Sequence, residues 1–188
     1  MTSYWGPRLW YIIHCISYCY PDNPSNTDKA IYYRFYIIIA NIIVCKKCKF
    51  HYMNYINKHL PTHLNSKNDL VDLFISLHND INVDKKKQVM TRRVADTLYK
   101  DTHHVYILQL LNYCKKTVIN KEITLASYCE FMHLLQYVLP CTKCKLNYIS
   151  LLAKYPIQIY LCRPDCSIDC IHDWFKKCVI PVMSHSVS

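Results

Sequence analysis

One residue type constrains this chain of 188 residues more than any other: it has a single glycine, Gly6. The common dinucleotide- and phosphate-binding loops need two or three glycines, where the backbone must approach a phosphate group closely. Gly6 alone cannot build such a loop. Any nucleotide that this chain binds must therefore be held by side chains and by helix surfaces.

The hydrophobic pattern predicts helices throughout. Apolar residues recur at helical spacing, and no stretch shows the period of two that marks a strand bounded by hairpin turns. The predicted helices of the first half run from Tyr4 to Tyr18, from a cap at Thr27 or Asp28 toward Ile43, from Cys45 to His59, and onward from Ser66. The predicted fold class is all-α.

Twelve cysteines are too many for an ordinary cytosolic protein. The opening residues have no charged n-region, long apolar segment or cleavage site, so we expect no secretory signal. The most apolar stretch, residues 36–44, is too short to span a bilayer. Such a chain points to metal binding, redox catalysis or an oxidising compartment. Its net charge of +10 suits an anionic ligand, but a solvated basic face explains that charge equally well.

A Cys-x-x-Cys motif, Cys45 to Cys48, starts the third predicted helix. Such a motif is half of a zinc site, a redox dithiol or a structural bridge. The helix N-terminus favours the thiolate form and lowers a cysteine pKa, and Lys46, Lys47 and Lys49 act in the same direction. The placement favours a reactive dithiol, with zinc binding as the alternative.

The second half repeats the first. A shift of 96 residues places Cys45 on Cys141 and Cys48 on Cys144. The same shift matches Tyr32 to Tyr128, Phe35 to Phe131, Lys47 to Lys143, Lys49 to Lys145 and Tyr52 to Tyr148. So many matches at one offset indicate duplication. We predict two tandem helical units, residues 1–100 and 101–188.

Three ordered motifs resemble the Erv/ALR family of FAD-linked sulfhydryl oxidases, and most closely its forms in large DNA viruses. The likeness covers roughly residues 4–100. The motifs are Trp5-Gly6-Pro7-x-x-Trp10-x-x-x-His14, then Cys45-x-x-Cys48 with His51 after it, and Leu77-His78-Asn79-x-Ile81-Asn82. The resemblance implies a bundle of four to five helices that holds FAD by side chains. The family's usual Leu-Gly is replaced here by Lys85-Lys86.

The resemblance also implies roles for individual residues. Trp10 and His14 would lie against the adenosine part of the flavin. His78, Asn79 and Asn82 would bond and stack around the cofactor. Helix spacing groups them in the same way, since Trp10 and His14, and likewise His78 and Asn82, are four residues apart. Lys87 would lie near the pyrophosphate.

The implied activity is thiol oxidation without a metal. A substrate dithiol would attack Cys45, and the thiolate of Cys48 would pass two electrons to FAD and on to O₂, giving H₂O₂. The expected partners are thiol-containing proteins and O₂, in the host cytoplasm or the virion. We expect no membrane binding. Nucleic-acid binding is not expected either, because only the net charge and the many tyrosines would favour it.

The second unit lacks the flavin side chains. The shift of 96 replaces Trp10 by Tyr106 and His14 by Leu110, and the counterpart of Asn79 is Asp173. We interpret this unit as a degenerate copy without FAD. It would take the place of the partner subunit in the family's two-fold dimers, giving an internal pseudo-dimer that could itself form a homodimer.

Two questions stay open at this level. Cys141 and Cys144 form either a relay to Cys45–Cys48 or a structural disulfide, which we favour. The competing function is a zinc-stabilised helical binding module. Its ligands would be the two Cys-x-x-Cys pairs or the cluster Cys162, Cys166, Cys170 and Cys178.

Overall fold

The computed structural model describes residues 6–100, 104–161, 163 and 165–184. Every regular element within these ranges is a helix, so the predicted all-α class is confirmed. The helices are α1 Gly6–Tyr18, α2 Asn26–Ile42, α3 Lys46–His59, α4 Lys67–Asp84, α5 Arg92–Tyr99, α6 His104–Ile119, α7 Leu125–Val138, α8 Thr142–Lys154, α9 Ile157–Tyr160, α10 Ile168–Cys178 and α11 Ile180–Ser184, with a 3-10 turn at Leu60–Thr62 after α3. The predicted start of α1 at Tyr4 lies outside the described residues.

The start of α2 corrects one expectation. Ser25 caps this helix, not Thr27 or Asp28 as predicted. The Ser25 hydroxyl accepts a bond from the Asp28 backbone N–H (3.1 Å), and the Asp28 carboxylate accepts one from the Ser25 N–H (2.9 Å). Asp28 is thus the third residue of the helix in a capping box. The pattern Ser25-Asn-Thr-Asp28 fits that motif, but the prediction placed the cap too far along the chain.

The helices share a core of aromatic and aliphatic side chains. Phe35, Tyr36 and Ile39 of α2 and Phe74 of α4 are fully buried. Burial of each such side chain stabilises the fold by about 1.5–3 kcal/mol. The buried hydroxyl of Tyr52 in α3 is satisfied by backbone, because it donates to the carbonyl of Tyr36 at 2.9 Å.

The two halves of the chain pack through equivalent helices. α1 contacts α6 and α2 contacts α7. At the second contact the ring of Phe35 stacks on that of Phe131, with centroids 5.8 Å apart. Beside them Arg34 forms an ion pair with Glu130. The Phe35–Phe131 and Arg34–Glu130 contacts both join residues that are 96 positions apart in the sequence.

Several local bonds occur in both halves at the same offset. Tyr148 donates to the carbonyl of Met132 (2.7 Å), as Tyr52 does to that of Tyr36. The Lys145 ammonium donates to the carbonyl of Tyr137 (2.8 Å), while Lys49 donates to the side chain of Asn41 (3.1 Å). These bonds fix the start of α8 against α7 and the start of α3 against α2 in a similar way.

The end of α4 carries a backbone conformation that normally selects glycine. Lys86 has φ 53°, in the left-handed region. Its N–H donates to the carbonyl of Val83 (2.9 Å), and the Lys87 N–H donates to that of Asn82 (2.8 Å). This pair of bonds is the Schellman arrangement, in which glycine is favoured at the position of Lys86. The helix end therefore holds a lysine at a cost in free energy.

We expect Lys86→Gly to increase the free energy of unfolding by about 0.5–1 kcal/mol. A non-glycine residue in this region costs about 1–2 kcal/mol, and the greater flexibility of unfolded glycine offsets about half of that. Urea unfolding monitored by circular dichroism measures the change. Lys85→Gly is the matched control, because Lys85 has φ −93° and should lose stability. Equal effects of the two substitutions would contradict the prediction.

Candidate functional site

Three rings from α1 and α4 form the centre of the candidate site. The rings of Trp10 and His78 are parallel, with centroids 4.3 Å apart and planes 2° from each other. The His14 Nε2 lies 3.0 Å from the His78 Nδ1, so one imidazole donates to the other according to tautomer. The structure thus brings together Trp10, His14 and His78, which come from two distant motifs.

His14 is completely buried, and its environment keeps it uncharged. On its other side the ring of Tyr99 stacks at 4.4 Å. Burial lowers the pKa of His14 to about 3, and the nearby His78 adds to the effect. The His14 Nδ1 has no hydrogen-bond partner among the described residues. A buried polar nitrogen of this kind is normally satisfied by a ligand or an ordered water.

His78 is more accessible and lies near two lysines. Burial lowers its pKa to about 4, and the charges of Lys87 and Lys85 contribute to the shift. Both ammonium groups are exposed on the segment that follows α4. The predicted site residue Lys87 therefore lies close enough to His78 to act on it electrostatically, and an anionic group here would find positive charge.

Asn79 and Asn82 hold the segment after α4 in place. The Asn79 side chain donates to the carbonyl of Met90 (2.8 Å) and accepts from the Met90 N–H (2.7 Å). Asn82 donates to the carbonyl of Gln88 (3.2 Å). In this structure both side-chain amides bond to backbone groups of residues 88–90, next to Lys87 in the sequence. They therefore hold in place the segment that carries Lys87.

Sequence reasoning missed α5 and Tyr99. Arg92 fixes this short helix to α4 by donating to Asp72 (2.7 Å) and Asn68 (2.8 Å). Asp96 accepts a bond from the Tyr18 hydroxyl at 2.7 Å. Ala95 and Tyr99 are buried four residues apart, which is the signal that could have revealed the helix.

The Cys45–Cys48 pair forms a disulfide where α3 begins, as predicted. Cys45 is the N-cap of α3, and its sulfur accepts a bond from the Cys48 N–H (3.3 Å). Both residues are half-buried against the core, and α3 contacts α4, which carries His78. The pair thus belongs to the same bundle as the ring cluster.

Cys141–Cys144 forms a second disulfide with the same geometry at the start of α8. Each Cys-x-x-Cys pair is bonded within itself, so in this structure the four sulfurs are not arranged as the ligands of one metal ion. No group of three or more His, Cys, Asp or Glu residues in the described part of the chain is arranged to hold one. Cys162, a member of the other proposed zinc cluster, lies outside that part.

A protonation test follows from the burial of His14. Its folded pKa, about 3, lies below the ordinary value of 6.5. The unfolded chain therefore binds an extra proton as pH falls below 6.5, and stability is lost progressively toward pH 3. On going from pH 7 to pH 4.5, we expect His14 to lower the free energy of unfolding by about 2–3 kcal/mol.

Urea unfolding at pH 7 and pH 4.5 measures this loss. His14→Phe, which retains a ring against Tyr99, should lose less stability on acidification than the wild type. His172→Gln, at an exposed histidine, is the control and should follow the wild type. The same acid loss in His14→Phe as in the wild type would contradict the prediction.

The fold and the site define a small helical protein with a disulfide at a helix start and a cluster of aromatic and imidazole rings. The family model of Erv1/Alr matches residues 7–103, and this chain belongs to that family. It is 34% identical over 89 residues to a protein of Acanthamoeba polyphaga mimivirus named as a probable FAD-linked sulfhydryl oxidase. That match covers 46% of this chain and 62% of the mimivirus protein. No solved structure matches the chain significantly.

The matched region contains all eight predicted site residues. It ends at residue 103, near the predicted boundary between the two units. No helix in the described ranges is long and apolar enough to cross a membrane.

Proposed function

We propose that this chain is an FAD-linked sulfhydryl oxidase that forms disulfide bonds in thiol-containing proteins. The observation that carries the proposal is the Cys45–Cys48 disulfide on α3, in the same helical bundle as the Trp10, His14 and His78 rings. Membership of the Erv1/Alr family and the name of the mimivirus relative support the same activity.

The side chains of the site fit a flavin nucleotide. The parallel rings of Trp10 and His78 offer flat surfaces for a planar heterocycle. The unpaired His14 Nδ1 offers a polar contact. Lys87 and Lys85 supply positive charge for a diphosphate. Asn79 and Asn82 would orient the segment that carries these lysines.

The two cysteines would oxidise substrate thiols by exchange. A substrate thiolate attacks the Cys45 sulfur, the Cys45–Cys48 bond breaks, and Cys48 leaves as a thiolate stabilised at the helix N-terminus. A second substrate thiol attacks the mixed disulfide, so the substrate gains a disulfide and the pair gains two electrons. An FAD held by the side chains assigned above would supply the redox chemistry that carries these two electrons to O₂, giving H₂O₂.

We further propose that residues 101–188 are a degenerate copy that takes the place of a partner subunit. The contacts of α1 with α6 and of α2 with α7 support this. So do the Phe35–Phe131 and Arg34–Glu130 pairs, since equivalent residues touch only near a two-fold axis. In this copy Leu110 replaces His14, so we expect no FAD there, and we assign Cys141–Cys144 a structural role.

The experiment that tests the proposal is cofactor analysis of the purified full chain. We expect a yellow protein with one FAD per chain, because the ring and histidine set occurs once. Visible absorption, flavin release on denaturation and a zinc assay give the stoichiometries. Trp10→Ala should lose FAD, whereas Trp174→Ala, at a buried tryptophan of α10, should lose stability without a specific loss of FAD affinity in the folded fraction.

A colourless protein with stoichiometric zinc would replace this proposal by the metal-binding module. Two flavins per chain would overturn the assignment of the second half. Because the chain is similar to a mimivirus protein, we expect it to act in the host cytoplasm or in the virion.

A further inference from the structure

A second group of sulfur atoms lies far along the chain from Cys45–Cys48, where α10 begins. Cys166 and Cys170 are both free thiols that are partly accessible. Burial raises the pKa of the Cys166 thiol, and the charge of the nearby Cys170 adds to the shift. The two thiols therefore lie near each other, four residues apart across the start of α10.

Cys170 is surrounded by hydrogen-bond donors. The Arg163 guanidinium donates to its sulfur at 3.1 Å. The Ser167 hydroxyl lies 3.4 Å from the same sulfur. Ser167 is also the N-cap of the eleven-residue helix α10, in which Cys170 is the third residue. These groups lower the pKa of Cys170 to about 7, with the Ser167 bonds the largest cause and Arg163 next.

The other free thiols named below lack this environment. Burial raises the pKa of Cys15, Cys114 and Cys178 to about 12. Cys19 is exposed, yet burial of its sulfur raises its pKa as well. Asp165 pairs with Arg163 at 3.3 Å, and the pKa of Cys170 is lowered despite this carboxylate.

Cys166 also lies at the edge of a cavity. It lines, with Ser167, a cleft of about 600 Å³, which Asn41 and Lys49 of the first half line as well. A space of this size accommodates a small ligand or a peptide segment. The Cys166 thiol therefore lies where a substrate can reach it, four residues from Cys170.

We propose that Cys166 and Cys170 form a second thiol–disulfide exchange site, which attacks disulfides of substrates held at this cleft. The Cys170 thiolate attacks a substrate disulfide, one substrate sulfur leaves as a thiolate, and a mixed disulfide forms. Cys166, after losing its proton to solvent, attacks Cys170 and releases the second substrate sulfur. The substrate disulfide is reduced by two electrons, and Cys166–Cys170 is oxidised.

This site gives the chain a second activity, in which existing disulfides are opened or rearranged. The substrate chemistry is a disulfide, from either a small molecule or a protein. The inference does not depend on FAD or on Cys45–Cys48.

The test uses the full chain carrying Cys45→Ser and Cys48→Ser, so that its outcome is independent of the proposed oxidase. The reduced protein is mixed with glutathione disulfide at pH 7, quenched with acid and mapped by mass spectrometry. We expect Cys170 to react at least about five-fold faster than Cys19, because its larger thiolate fraction outweighs its lower nucleophilicity. The product should be Cys166–Cys170 with two glutathiones released.

Three variants in this background define the roles. Cys166→Ser should trap glutathione on Cys170. Arg163→Gln should slow Cys170 several-fold, and Arg163→Lys should restore part of the rate, which a purely structural role for Arg163 would not predict. A second arm replaces glutathione disulfide by a scrambled disulfide-bonded protein, and recovery of that protein's activity would identify protein disulfides as the substrate.

Two results would overturn the proposal. One is a Cys170 that reacts no faster than Cys19. The other is a mixed disulfide on Cys170 that is resolved normally in Cys166→Ser but not in Cys162→Ser, which would make Cys162 the resolving thiol.

Discussion

Replacing Cys48 by serine is expected to reduce thiol oxidase turnover by at least about a thousand-fold while FAD stays bound. Serine cannot form the disulfide that accepts substrate electrons, so the exchange has no oxidant. FAD binding should persist, because the side chains that we assign to the cofactor lie on α1, α4 and the segment after α4. Oxygen consumption with dithiothreitol and the visible spectrum of the same sample measure the two properties.

Cys45→Ser should also stop turnover, but with a different spectroscopic result. It leaves the Cys48 thiolate free, so we expect a broad charge-transfer absorption that Cys48→Ser lacks. Cys141→Ser/Cys144→Ser is the matched control: it removes the equivalent disulfide of the second half and should keep activity on dithiothreitol per folded molecule. Near-full turnover of either single variant would show that the pair is wrongly assigned.

The helical class and the place of the Cys-x-x-Cys motif at a helix start could be predicted from the sequence for a simple physical reason. Helical periodicity and the Cys-x-x-Cys motif are local patterns, so they could be read without knowing the tertiary contacts. Cys45 accordingly caps α3 and bonds to Cys48. The ring cluster brings together His14 and His78, which are 64 residues apart in the sequence. Only the family resemblance predicted that their two motifs would meet.

What could not be predicted depends on the packing of single side chains. The stacking of Tyr99 on His14 requires α5 to fold back onto α1. Tyr18 of α1 donates to Asp96 of α5, while Arg92 bonds α5 to α4. The bonds from Asn79 to Met90 depend on the path of a segment without regular structure. The lowered pKa of Cys170 arises first from its hydrogen bonds with Ser167 and then from Arg163, seven residues away across a turn.

The second large effect concerns the contact between the two halves. Phe35 and Phe131 are both fully buried and stack on each other across the α2–α7 contact. We expect Phe35→Ala and Phe131→Ala each to lower the free energy of unfolding by about 3–5 kcal/mol. The double variant should lose about 0.5–1.5 kcal/mol less than the sum, because the first truncation already removes the ring–ring contact.

Phe74→Ala gives the control for this coupling. Phe74 of α4 is equally buried, but its ring packs on Tyr36 within the first half, at 4.3 Å. It should lose similar stability alone and be nearly additive with Phe131→Ala. Urea unfolding, with circular dichroism for the whole chain and flavin absorbance for the first half, measures the wild type and the five variants.

The coupling decides whether the second half acts as a built-in partner. If it covers the apolar faces of α1 and α2, the flavin signal and the helical signal should disappear in one transition in the wild type. Weakening the contact from the second half alone, by Phe131→Ala, should then lower the midpoint of flavin release although no residue near the rings has changed. The opposite result would be additive effects of Phe35→Ala and Phe131→Ala, together with an unchanged midpoint of flavin release in Phe131→Ala. That result would show that residues 1–100 are stable without the second half.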